Sequence, residues 1–493
     1  MTMTRTIRKK CLAILMVFLF VSCIVTPVLA DTPYQGYAYN FWGWMVPAPA
    51  AYVPLRSFGL HDICPELGDM TEPTELHVCP LGYIYIVDSG NDRIVVIDRY
   101  LNLIRVLEGF YRDGAFQTFN RPTGVFVTPD LQLFIADTDN HRIAVLDQYD
   151  NFVRQIDAPV IEGLEDEFIF LPLHLVVDRG GRTFVIVQRV FEGIMSFNSE
   201  GDFIGYFGTI DVDFNPIDMF WRLFQTQEQR SRQRLFIPTE FQGMDIDDYG
   251  FIFTTNIEAW AGNDQVMRLN PRGEDVLLNL NDNVGINGDQ MFRPGGALAG
   301  PTIFVDIVAM SHGMYAAIDS TRGRIYTYDS EGNLLHVVGG WGTLQGMTRR
   351  PVSVQVIDDD FIILDAHGRG RIIQYTPTEY GALINTAIRA RYDGNEQVAY
   401  QSWRRLVEID ENFVLAWSGI GRAMLAQGDN VQAMYYLRRG MDIRYYSVAF
   451  RRNRLDRMQT TLPNLLTGAA GLLVLYVAYK VVMRFRKKGV IAQ

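Results

Sequence analysis

At 493 residues, 48% of them hydrophobic and 20% charged, the chain has material for two or three domains and a large buried core. Its net charge of −11 is unevenly placed, because residues 1–30 and 462–493 are basic and acid-free, which leaves −20 for residues 31–461. That acidic bulk excludes nucleic acid as a partner, and the absence of lysine between residues 11 and 479 excludes Schiff-base chemistry and a P-loop there.

Arg5, Arg8, Lys9 and Lys10 lead into an apolar run over 12–25 and small residues ending at Ala30. This is the pattern of a cleaved secretory signal peptide over 1–30. Cys11 and Cys23 leave with it, and Cys64 and Cys79 remain. An export route permits a disulfide between them, and spacing alone leaves both a bridge and two free thiols open. Residues 31–50 read as a linker.

One phrase recurs from there on. DSGNDRIVVIDRYLN begins at Asp88, DTDNHRIAVLDQYDN at Asp137, DSTRGRIYTYDSEGN at Asp319 and DAHGRGRIIQYTPTE at Asp365. Each copy sits in a longer unit of short alternating or β-branched runs bounded by Gly, Pro, Asp or Asn. Six units open near Pro73, Pro122, Pro172, Pro238, Pro301 and Pro351. Four short strands per repeat predict a mainly β fold, a six-bladed β-propeller over 51–376. The last unit lacks an outer strand. Its cadence stands instead at YVPLRSFG, so residues 51–59 are expected to close the ring. In each phrase an aspartate ends a strand, and an asparagine or arginine follows in the turn. Asp88, Asn91 and Arg93, Asp137, Asn140 and Arg142, Asp319 and Arg324, and Asp365 and Arg371 are expected to be structural. The pattern D-x-x-N-x-R-I-x-V resembles the NHL repeat, with Asn140-His141-Arg142 standing where that name has Asn-His-Leu. The resemblance implies the same six-bladed architecture.

Two features depart from the repeat. Pro216 and the apolar spacing of Met219, Phe220, Leu223 and Phe224 predict an inserted helix over 217–235. The first strand of each unit starts near the propeller axis, where the aligned residues are Glu75, Gly124, His174, Gly243 or Glu240, Asp306 and Ser353. Propeller lactonases and amidating lyases, which the repeat resembles, hold metals at this location. The resemblance implies a divalent cation, Ca or Zn, at Glu75, His174 and Asp306, with Glu240 as a further ligand contact. The spaced histidines of a lyase zinc site are missing, and a solvated channel mouth needs polar residues just as much.

After residue 377 the apolar period changes to that of helices. Gly394 and Gly428 stand 34 residues apart, and Trp417, Gly421, Gly428 and Ala433 resemble the tetratricopeptide cadence over 377–458. That resemblance implies either a protein or peptide partner along Arg391, Tyr392 and Arg422, or a rigid spacer. Residues 462–483 are long and apolar enough for one transmembrane helix. The basic tail over 484–493 is expected to be cytoplasmic, which describes a single-pass bacterial cell-membrane protein with an extracytoplasmic bulk.

This layout resembles bacterial proteins found beside sugar-type ABC transporters. It implies a non-catalytic interaction or scaffold role, accessory to such a transporter. The alternative is a metal-dependent lactonase-like hydrolase or lyase at the channel mouth, with a cation polarising a carbonyl. No nucleophile elbow, HExxH or clear triad supports catalysis.

Overall fold

The computed structural model describes residues 32–159, 168–208, 240–256, 265–278, 288–289, 298 and 300–489. The signal peptide expected over 1–30 and the helix expected over 217–235 lie outside them.

Six antiparallel sheets follow one another as the blades of a propeller. Blade 1 consists of Glu75–Val78, Ile84–Asp88, Arg93–Ile97 and Leu103–Leu107, from the axis outward. The innermost strands of blades 2 to 5 are Pro122–Val127, Pro172–Val177, Phe241–Ile246 and Phe304–Ala309. Blade 6 takes Pro351–Ile357, Asp360–Asp365 and Arg371–Pro377 from the end of the ring and Tyr52–Phe58 from its beginning. Pro377 pairs with Tyr52 and Ile372 with Phe58, which joins the two ends and removes an open edge.

Many blade strands are apolar on both faces because both faces are covered. In blade 1, Ile84, Ile86, Val95 and Ile97 pack toward blade 6, and Tyr85, Val87, Ile94 and Val96 toward blade 2. Cys79 lies in the second cluster, and Ile63, the neighbour of Cys64, packs against the first. Blade 1 therefore stands between the two cysteines, and both are free thiols rather than a disulfide.

The repeated phrase folds as one turn. The residue before its arginine is left-handed in all four copies, with φ of 53° at Asp92, 55° at His141, 62° at Gly323 and 69° at Gly370. Asp, His and Gly are among the residues that tolerate this conformation. Fully buried Asp137 accepts hydrogen bonds from the Asn120 N–H (2.8 Å), the Asn140 amide (2.8 Å) and Arg142 Nε (2.7 Å). Asp88 does the same with Thr71, Asn91 and Arg93, and Asp365 with Arg350 and Arg371. Blade 5 differs. Asp319 meets Arg322 at 3.5 Å, while Arg324 reaches past it to Asp289 at 2.7 Å. Asp289 also accepts the hydroxyls of Tyr37 and Tyr39. These tyrosines belong to a hairpin, Tyr37–Tyr39 with Met45–Pro47, where a linker was expected. Tyr37 is buried against Val337 in the outer strand of blade 5.

The C-terminal region is helical. Helices α1 (Glu379–Tyr392), α2 (Glu396–Ile409), α3 (Val414–Ala426) and α4 (Asn430–Arg439) form two hairpins, and α5 spans Ile443–Gly489. Thr378, Asn395 and Asp429 cap α1, α2 and α4 by accepting N–H groups of Gly381, Val398 and Gln432. The helices approach closely, since a methyl on Gly419 would lie 2.5 Å from Trp403 Nε1. The distal part of α5 is exposed, and the helix is long and apolar enough to cross a membrane.

Candidate functional site

Strand register fixes the ring of residues at the axis. Glu75 lies opposite Val87, Gly124 opposite Ala136, His174 opposite Ile186, Asp306 opposite Ile318 and Ser353 opposite Leu364. In blade 4, Met244 lies opposite Thr254, so the ring position belongs to Gly243. Glu240 precedes the strand and stands outside the ring. Blades 1, 3 and 5 thus supply Glu, His and Asp, and blades 2, 4 and 6 supply Gly, Gly and Ser. The small residues are a steric requirement. A methyl on Gly124 would lie 2.3 Å from the Leu173 carbonyl, and one on Gly243 would lie 2.5 Å from Asp306 Cα.

The inner edge of an innermost strand has no neighbouring strand, so its N–H groups need other acceptors. The preceding blade provides them. Glu75 Oε2 accepts the Val125 N–H (2.8 Å), and His77 Nε2 accepts the Val127 N–H (3.1 Å). Asp245 Oδ2 accepts the Ala309 N–H (2.8 Å), and Asp306 Oδ2 accepts the Val354 N–H and the Ser353 hydroxyl (both 2.8 Å). Glu75 Oε1 remains, and it lies 3.3 Å from His174 Nδ1.

Burial pushes Asp245 up to about 7, against the N–H groups of Ala309 and Ile246, with Asp306 and Glu75 adding to the rise. Burial pushes Asp306 up to about 6, with His174 pulling it back. Burial alone would lower His174, but the Glu75 carboxylate, helped by Asp306, carries it above its ordinary value. Four ionisable groups on four blades therefore sense one another, and Asp245 and Asp306 titrate near neutrality. Buried His77 falls to about 4 and stays neutral.

A divalent cation does not fit this arrangement. One oxygen each of Glu75, Asp245 and Asp306 is bonded to backbone, and among the described residues no group of three His, Cys, Asp or Glu is placed to hold a metal ion.

The residues expected to meet a partner are placed elsewhere. Arg391 and Arg422 both pair with Glu331 in a turn of blade 5, the latter at 2.9 Å, and Arg422 also holds Asp442 at 2.9 Å. They dock the helices on the propeller through these ion pairs. Burial would raise Glu331, but Arg422 and Arg391 hold it below its ordinary range. Tyr392, 46% exposed, packs edge-on against His312. Next to this seam, Phe41, Glu331, Phe413, Arg422 and Ile443 line a cleft of about 520 Å³.

The turns that meet α1 are those of Asp359, His312 and Glu331, which follow the outer ends of their strands' first runs or precede outermost strands. They lie on one face of the propeller. The Asp–Arg turns and the Glu75, His174 and Asp306 end of the innermost strands lie on the other. Sequence reasoning missed Asp245, His77 and Glu331. Asp245 stands two residues after Gly243, so strand alternation would have found it once the register of blade 4 was known.

No curated protein sequence matches the chain. Among solved structures, virginiamycin B lyase from Staphylococcus aureus is 10% identical, with 66% of this chain and 99% of that one covered and a TM-score of 0.40. A gluconolactonase from Xanthomonas campestris is 10% identical, with 71% and 98% covered and a TM-score of 0.39. A protein of unknown function from Bacteroides caccae is 10% identical, with 62% and 90% covered and a TM-score of 0.34. The NHL repeat itself is matched over residues 119–146, which are the innermost strands and Asp137 turn of blade 2.

Proposed function

We propose that the chain is a non-catalytic, membrane-anchored interaction protein that presents its channel-mouth face away from its anchor. The observation that carries this reading is the docking of α1 under blades 5 and 6 through Arg389–Asp359 and Arg391–Glu331. It puts the helical region, from which the apolar extension continues, on the face opposite the mouth. The polar ring serves the propeller itself, since its acceptors satisfy inner-strand N–H groups. The partner that the layout resemblance points to is a solute ABC transporter, and tetratricopeptide-like packing of the helices makes them a stiff spacer. The expected orientation places the propeller outside the cytoplasm. Site-specific photo-crosslinking of the full chain in native membranes tests this. Adducts to one transporter subunit from Asp92 or His141, exposed in the mouth-face turns of blades 1 and 2, support it. Adducts confined to the helical side would overturn the presentation of the mouth.

A second reading rests on Glu75 and His174. A hydrogen-bonded acid–base pair with Asp306 near neutrality is suited to proton transfer in a lyase or hydrolase that works without the metal expected for this fold. Turnover of a lactone panel that is lost in His174→Ala but kept after chelation would favour it over the scaffold.

A further inference from the structure

We infer that the membrane-proximal turns of α5 form an anionic-lipid binding belt through Arg451, Arg454 and Arg457. This rests on the reading of α5 as a membrane anchor.

Residues 430–461 hold seven arginines and two aspartates, in an otherwise acidic ectodomain. Both aspartates are engaged within the fold, Asp442 with Arg422 and Asp456 with Asn430 (2.7 Å). Arg451, Arg454 and Arg457 are exposed, and among the described residues none has an ion-pair partner. Steps of three keep the three side chains within about 120° on one helix face. Leu455 (48% exposed) and Met458 (53%) flank them, which makes that side amphipathic.

Helix rise sets their heights. From Leu462, where the apolar stretch begins, Arg457 stands about 8 Å, Arg454 about 12 Å and Arg451 about 16 Å along the axis. A headgroup layer is about 5–8 Å deep and the Debye length is about 8 Å, so all three feel an anionic surface. Arg444, at about 27 Å, does not.

Topology gives no reason for this charge. Arg484, Arg486, Lys487 and Lys488 make the other flank of the span equally basic, so the belt works against the tail in orienting the helix. Phosphate headgroups on the propeller's side of the bilayer are the complementary partner.

The test uses the full chain with a photo-crosslinker at Leu455, reconstituted in equal-part phosphatidylcholine and phosphatidylglycerol vesicles. Phosphatidylglycerol adducts are expected to exceed phosphatidylcholine adducts by about fivefold per arginine, and to fall with salt. Arg451→Gln, Arg454→Gln and Arg457→Gln together should bring the ratio down to the level that Arg452, at about 15 Å, sustains alone, about fivefold or less, and Arg444→Gln should leave it unchanged. Equal adducts in the parent chain, or an equal loss in Arg444→Gln, would overturn the belt. Alkaline extraction of the same vesicles separates the two readings. A chain that is extracted is not anchored, whereas an integrated chain without lipid preference sinks this inference alone.

Discussion

Glu75 and His174 lie on blades 1 and 3, yet Oε1 of one stands 3.3 Å from Nδ1 of the other. They meet across Gly124 of blade 2, whose missing side chain leaves the space they use. Gly124→Ala would force its methyl onto the Leu173 carbonyl and Glu75 Oε2. The expected cost is about 2–3 kcal/mol, read as a lower urea midpoint. A neutral substitution would refute the steric account of the ring.

The axial acids make the propeller more stable in mild acid than in base. Asp245 and Asp306 have folded values of about 7 and about 6 against an ordinary 3.8. A raised pKa means that folding favours the protonated form. Their contribution is full below pH 3.8 and is lost as pH rises through 6 and 7. His174, also raised, acts in the same sense, with a contribution present below 6.5 and lost above its folded value. The melting temperature should therefore fall between pH 5.5 and pH 8.5, an interval of about two to three titrations' width. Asp245→Asn should flatten that fall and gain about 1–2 kcal/mol at the alkaline end, given channel water that screens the charge. A steeper fall in the variant would contradict this.

Asp137 holds Arg142 in a nearly dry turn, with side chains 0% and 10% exposed. Asp137→Ala would leave that guanidinium unpaired, at about 3–5 kcal/mol. Asp88→Ala should cost a similar amount, because it breaks the same three hydrogen bonds. Chemical denaturation of both variants checks the equivalence. A large disparity would show that the repeated phrase serves different ends in the two blades.

Glu331 joins Arg391 of α1 and Arg422 of α3 to blade 5. Glu331→Gln weakens both pairs and should let the helices unfold ahead of the propeller. Hydrogen exchange should rise in α1 and α3 by about tenfold or more while the blades keep their protection. Because Glu331 is depressed, its contribution is present above an ordinary 4.5 and disappears as pH falls through its lower folded value. Uniform loss of protection across the chain would mean that the seam is not an independent unit.

The blades were legible because their cause is local. Strand period, the prolines that open units and the D-x-x-N-x-R turn each follow from backbone geometry within a few residues. The closing strand was legible from a displaced cadence, since a strand without a partner in its own unit must find one elsewhere. Arg324 was misassigned to Asp319 because its partner, Asp289, and the tyrosines that share it come from distant chain segments. The pairing of Arg391 and Arg422 with Glu331 was not legible, because helical spacing reports a face and not what packs against it.

The sequence by itself determined the six-fold repeat, the stranded blades, the turn that ends the second strand in four of them and one apolar helix of membrane-spanning length. These are periodic or compositional properties, and short-range sterics and burial fix them. Only the tertiary structure decided that Gly243 and not Glu240 stands at the axis, and that the axial carboxylates accept backbone N–H groups of the next blade. Those outcomes depend on register between strands that residue spacing leaves open by one or two places, and a shift of one place turns a side chain to the opposite face.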